Sequence, residues 1–195
     1  MTNSLREIEN NDVLFIIGSN TKESHPIVAL RMIKAKRRGA KIIVADPRRV
    51  PMVRFADIWM QQKPGTDVAL LNGMMHVILA ENLINCDFID THTEGFDEEF
   101  RQNIAEYTPE KVSAITGVPA DLIVKAARLY ANGKRAGIYY TMGITQHAHG
   151  TDNVFSIANL ALMTGNLGKE SSGVNPLRGQ NNVQGSTDMG CVPNN

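Results

Sequence analysis

The sequence predicts a three-layer α/β domain on a mainly parallel sheet, and three observations predict it. Val13-Leu14-Phe15-Ile16-Ile17 and Lys41-Ile42-Ile43-Val44-Ala45 are short, β-branched apolar runs of the kind that form strands buried on both faces. Between them a polar, glycine-containing loop leads into helical apolar spacing, which completes a strand-helix-strand unit within about 35 residues. Strand character then returns at Ala136-Gly137-Ile138-Tyr139-Tyr140-Thr141, again followed by a polar loop and a helix.

Each element follows from local chemistry. Gly18 ends the first strand, and the loop Gly18 to Pro26 precedes a helix marked by Ile27, Leu30 and Ile33 at helical spacing and closed by Gly39. The second strand stops at Asp46-Pro47-Arg48-Arg49, where proline has no N–H to continue a ladder. Ala56 to Met60 is a shorter third strand. Behind it, Thr66 or Asp67 caps a helix from Val68 to about Glu81, with Leu70, Leu71, Met74, Met75, Ile78 and Leu79 on one stripe and His76 at its boundary. Residues from about 85 to 133 read as helical packing, with Pro109 at the first position of one helix and Gly117 to Asp121 leading into another that runs up to Gly133. A further helix, about Asp152 to Met163, turns Val154, Ile157, Leu160 and Ala161 inward. Beyond Ser172 no periodicity is legible. At 195 residues there is room for one sizeable core, so the α/β domain is placed at 1–170 and a loop with an extension at 171–195.

Composition narrows the function classes. Twenty basic and twenty acidic residues cancel, so nothing in the balance points to nucleic acid or a membrane surface, and any anion site must be local. Cys86 and Cys191 stand far apart without metal spacing, as expected of incidental thiols in a reducing, cytoplasmic compartment. No apolar run reaches the roughly 20 residues that span a bilayer, so no membrane contact is expected.

Ligands of open parallel sheets bind outside the carboxyl ends of the strands. Four polar loops follow strands here: Gly18 to Pro26, Asp46 to Arg49, Lys63 to Asp67 and Met142 to His147. Their convergence suggests a Rossmann-like domain for a nucleotide-like ligand, with Asp46 at the second strand end as an acceptor for a ribose hydroxyl or base. The first loop lacks GxGxxG, which disfavours ordinary NAD binding. His147 and His149 would share a face in a strand, but no third ligand is near and no metal site is assigned. Pro176 to Gly185 sets Arg178 among four amides and two glycines, a loop with little to bury and many groups to hold a ligand.

Five segments together resemble the molybdopterin oxidoreductases. They are Gly18-Ser19-Asn20 with His25-Pro26; Val44-Ala45-Asp46-Pro47-Arg48; Met142-Gly143-Ile144-Thr145-Gln146; Met163-Thr164-Gly165-Asn166-Leu167-Gly168; and Arg178-Gly179-Gln180-Asn181-Asn182-Val183-Gln184-Gly185. Within that family the pattern is most similar to the catalytic alpha subunit of formate dehydrogenase, of which this chain would be an excised middle domain. The resemblance implies two molybdopterin guanine dinucleotides (bis-MGD) holding molybdenum or tungsten, one of them on residues 1–170. It implies that Asn20, Glu23 and Ser24, then Ala45, Asp46, Pro47 and Arg48, then Gly65 and Asp67 cradle that dinucleotide. Met142, Gly143 and Gln146 would lie nearer the pterin, Arg178 would pair with formate as the catalytic residue, and Gly179 and Gln180 would follow it toward the cofactor.

The same resemblance implies parts found nowhere in these residues. They are the cysteines of a 4Fe-4S cluster, the metal-ligating cysteine or selenocysteine with its histidine, the remaining domains of the large subunit and an iron-sulfur electron-transfer subunit as partner. Glu23 stands where relatives are expected to have aspartate, which alters the reach of its hydrogen bond. Two alternatives stay open: a metal-free structural module like the large subunit of NADH dehydrogenase, or a reductase of nitrate or another oxyanion. A buried Arg178 would argue against the first, because a scaffold has no use for a buried cation beside an empty site.

Overall fold

In the computed structural model, residues 1–192 are described, and five strands form one parallel sheet in the order β3-β2-β1-β4-β5. These are β1 (Val13–Ile17), β2 (Lys41–Ala45), β3 (Ile58–Met60), β4 (Ala136–Tyr140) and β5 (Gly173–Pro176). β1 lies at the centre, in register with β2 from Val13 opposite Lys41 and with β4 from Val13 opposite Ala136. All five of its residues are buried, which is why it carries no polar alternation.

Successive β1 side chains point to opposite faces and found two cores. Val13, Phe15 and Ile17 join a large cluster with α3 (Asp67–Ala80), α6 (Pro109–Thr116), α7 (Ala120–Ala131) and α9 (Gly150–Met163). Leu14 and Ile16 join a smaller one with α2 (Pro26–Arg37) and the 3₁₀ turns Leu5–Asn10 and Pro51–Phe55. Helices on both faces of a five-stranded parallel sheet make the expected three layers. The remaining helices are α1 (Thr21–Ser24), α4 (Cys86–His92), α5 (Glu98–Ala105), α8 (Met142–Thr145) and α10 (Val183–Asp188). Among the described residues no helix is long and apolar enough to cross a membrane.

Two expectations are corrected here. The spacing of Ile27, Leu30 and Ile33 marks α2 as a helix but not its buried face: Ile27 and Leu30 are more than 60% exposed, at 63% and 62%, whereas Val28, Ala29, Met32 and Ala35 pack on the sheet. Small alanines allow closer approach than the larger aliphatic stripe, so the narrower face wins. Past Ser172, where no element was legible, the chain adds β5 and then α10. Gly-Val-Asn-Pro is too short and too mixed to read as a strand, and it is recruited by the ladder of β4 at the sheet edge. The division drawn at residue 170 therefore falls just ahead of a strand that belongs to the sheet.

Candidate functional site

β1 and β4 are neighbours, yet their following helices α2 and α9 go to opposite faces, so a crevice opens between the two carboxyl ends. The loops above that crevice touch. Gly18 turns with a φ of +55°, and a Cβ built on Gly143 would meet Gly18 O at 2.5 Å, so neither position has room for a side chain. Thr141, immediately after β4, donates its hydroxyl to Gly18 O at 2.7 Å and stitches the loops together.

The cleft beside this junction has a volume of about 330 Å³. Of the residues expected at a dinucleotide, it is lined by Asn20 and Ser24 from the first loop, Asp46, Pro47 and Arg48 from the second, Asp67 from the third, and Met142 and Gly143 from the fourth. Gly18, Lys63, Pro64 and His147, which belong to the four loops expected to converge, line the same walls, and so do Gln62 and Thr141, which the sequence reading did not place there. Their one legible signal was position, since each sits within a few residues of a strand end; β3 was the faintest strand, and Gln62 behind it went unnoticed.

Six expected residues do not line this cleft. Ala45 is fully buried at the end of β2 and accepts the Gly18 N–H at 2.9 Å, so its part is to place the loop. Gly65 makes the turn before α3 with a φ of +79°. Glu23 spends its carboxylate on the Asn20 amide nitrogen, 2.5 Å away. Gln146 lies instead in a second, smaller cleft of about 190 Å³ with Arg178, Gly179 and Gln180. The two clefts share Thr141 and Met142 as a common wall.

The floor of the larger cleft is built from buried polar side chains. Asp46 is 3% exposed; its Oδ1 accepts from the Arg48 backbone N–H at 2.9 Å, and Arg48 Nε is 3.8 Å away on an exposed side chain. Burial pushes the Asp46 carboxyl above its usual range, opposed by the Arg48 N–H and charge and reinforced by the nearby Asp67 charge. Gln62 donates Nε2 to Asp67 Oδ1 at 3.0 Å, and both residues are buried. Among the described residues, nothing hydrogen-bonds to two buried oxygens here, Asn20 Oδ1 and Gln62 Oε1. Unmet acceptors and a side-chain-free junction are what a polar, donor-bearing ligand with close backbone contact requires, so the residues fit a nucleotide.

Arg178 follows β5 by two residues. Leu177 anchors it, buried in the smaller core with its N–H on Tyr140 O at 2.8 Å, and His25 Nε2 donates to Arg178 O at 2.8 Å. The arginine side chain itself is exposed. That corrects the expectation of a buried cation: among the described residues nothing covers it, and the contrast it offered between an enzyme and a scaffold is lost. His147 and His149 are also not paired on a strand. They occupy the turn between α8 and α9, where His147 Nε2 donates to Gly143 O at 2.8 Å and His149 faces Asp152.

An open parallel sheet flanked by helices, with a polar crevice at its switch point, defines an α/β domain of the nucleotide-binding architecture. The family model for molybdopterin oxidoreductase matches residues 1–195, and the chain belongs to that family. It is 55% identical over 194 residues to the alpha subunit of the F420-dependent formate dehydrogenase of Methanocaldococcus jannaschii, covering 100% of this chain and 29% of that protein. It is 53% identical over 193 residues to formate dehydrogenase H of Escherichia coli, covering 99% of this chain and 27% of that protein. Acetylene hydratase of Pelobacter acetylenicus is a structural neighbour with a TM-score of 0.75 and 29% identity, covering 83% of this chain and 24% of that one. The chain thus spans under a third of the curated relatives it matches.

Proposed function

We propose that this chain is the middle domain of the catalytic subunit of a formate dehydrogenase, binding one molybdopterin guanine dinucleotide and supplying the arginine that orients formate. One observation carries the reading: a cleft of about 330 Å³ at four strand ends shares the Thr141 and Met142 wall with the cleft that holds Arg178. A dinucleotide in the first would bring its pterin end toward the second. The names and identities of the relatives favour formate over other small oxyanions.

In this reading the first loop and the Gly18–Gly143 junction bring backbone close to the dinucleotide, while Asp46 and Asp67 accept hydrogen bonds from its base. Asn20 Oδ1, buried without a partner, takes a donor from the same ligand. The cofactor, when bound with molybdenum or tungsten, supplies the two-electron redox centre. Arg178 offers a planar fork that stays charged and binds a carboxylate at two points, and Gln146 and Gln180 beside it add neutral hydrogen-bonding groups. Formate has almost no apolar surface, so its orientation rests on such charge-assisted bonds, each worth roughly 1.5 to 3 kcal/mol. The 4Fe-4S cluster and the iron-sulfur partner subunit belong to the rest of the proposed enzyme.

Arg178→Lys in the intact protein tests the assignment. Lysine keeps the charge but loses the fork, so metal and guanine nucleotide content should hold while kcat/KM for formate falls by on the order of tenfold or more. Loss of metal together with activity would transfer Arg178 from substrate to cofactor binding.

A further inference from the structure

Gln62 has a buried amide that makes one hydrogen bond, through its nitrogen, and none through its oxygen. It is 2% exposed at the cleft floor, and its Nε2 donates to Asp67 Oδ1 at 3.0 Å. The orientation of that amide follows from chemistry, because the reverse would set a carbonyl oxygen against a carboxylate, acceptor to acceptor. Oε1 is therefore left without a donor. A buried acceptor in that state costs free energy until something donates to it, and Gln62 is one of the residues that line the cleft.

Its neighbours define what would suit it. Asp46 and Asp67 flank the same floor, close enough for the Asp67 charge to act on Asp46. When ionised, both are acceptors only. With Gln62 Oε1 they make a surface that asks for a ligand edge carrying adjacent N–H donors and penalises one that offers a lone pair. A guanine edge presents a ring N–H beside an exocyclic amine, whereas adenine has an acceptor nitrogen at the ring position.

We propose that Gln62 is a base-selecting residue of the cleft: it holds Asp67 through Nε2 and accepts from the donor edge of a guanine through Oε1. This rests on the proposed reading of the cleft as a guanine nucleotide site and adds to it a residue that chooses between bases. A site built to hydrogen-bond a group rejects the analogue lacking it, because the buried partner is then left unmet.

The test uses the intact protein in cofactor-free form, titrated calorimetrically with GDP and with ADP as the probe of phosphate binding alone. The wild type should prefer GDP. Gln62→Met keeps the volume but removes both amide groups, and should weaken GDP by roughly five- to tenfold while leaving ADP within about twofold. An equal loss for both nucleotides, or an unchanged ratio, overturns the selecting role and leaves a structural one. If Gln62→Met fails to fold, Gln62→Asn, which keeps the amide but cannot reach both Asp67 and the ligand, is read by the same ratio: contraction supports the proposal and no change overturns it. A wild type that does not distinguish GDP from ADP overturns the guanine reading of the cleft itself, a different failure from that of Gln62.

Discussion

Replacing Gly143 with alanine places a Cβ 2.5 Å from the carbonyl oxygen of Gly18 and 2.8 Å from its carbonyl carbon and Cα. Ordinary carbon contacts begin near 3.5 Å, so the two loops would have to part by roughly 1 Å. Neither atom can swing aside, since both belong to backbone, and Gly18 is held on its other side by its N–H to Ala45 O at 2.9 Å. Overpacking of this kind costs about 1 to 3 kcal/mol, and weakening the Thr141 hydroxyl bond to Gly18 O adds about 1. Gly143→Ala should therefore lose about 2 to 4 kcal/mol in urea denaturation and also bind guanine nucleotide more weakly, because the junction forms a wall of the cleft. Gly179 is the control: nothing lies within 4 Å of its added Cβ and its φ is not positive, so Gly179→Ala should stay within about 0.5 kcal/mol of wild type. If Gly143→Ala were as stable as Gly179→Ala, the close approach of the β1 and β4 loops would be refuted.

Two further predictions concern pH. Burial raises the Asp46 pKa, so the ionised carboxylate burdens the fold at neutral pH and the burden vanishes once the group is protonated in both states. Asp46→Asn should then raise the melting temperature at pH 7, lose that advantage below about pH 4, and lower guanine nucleotide content; equal gains at both pH values would contradict the burial argument. Glu7 is shifted the other way, down to about 2, first by the Asn3 side chain at 2.8 Å and then by the N–H groups of Ser171 and Ser4 at 2.8 and 3.0 Å. Its stabilisation is present above the usual glutamate pKa and lost as pH falls toward 2. Glu7→Gln should cost about 1 kcal/mol at pH 7, after allowance for solvent screening, and the gap from wild type should close in acid melting scans between about pH 4.5 and 2.

Much of the larger cleft was legible because its residues sit at ends of strands that announce themselves. Asp46, Pro47 and Arg48 follow the five-residue run of β2, and Met142 and Gly143 follow β4. Gln62 follows a three-residue strand at the sheet edge, where few neighbours constrain the sequence, and it was missed. Glu23 was expected beside the dinucleotide through family pattern and pairs instead with Asn20, whereas Gln146, expected nearer the pterin, lines the cleft of Arg178.

The sequence by itself determined where the first four strands and the main helices before Ser172 lie, since apolar period and turn chemistry are local properties of the chain. It also carried the family, through short motifs that need no coordinates. Only the tertiary structure decided which face of α2 is buried, because two stripes satisfy the same helical period and the sheet selects the one with the smaller side chains. It alone recruited Gly173–Pro176 as a strand, left Arg178 exposed, set Gly18 against Gly143 and paired Gln62 with Asp67 so that one oxygen remained unmet. Those outcomes depend on distances between residues remote in sequence or held by a common fold, and no local pattern records a distance.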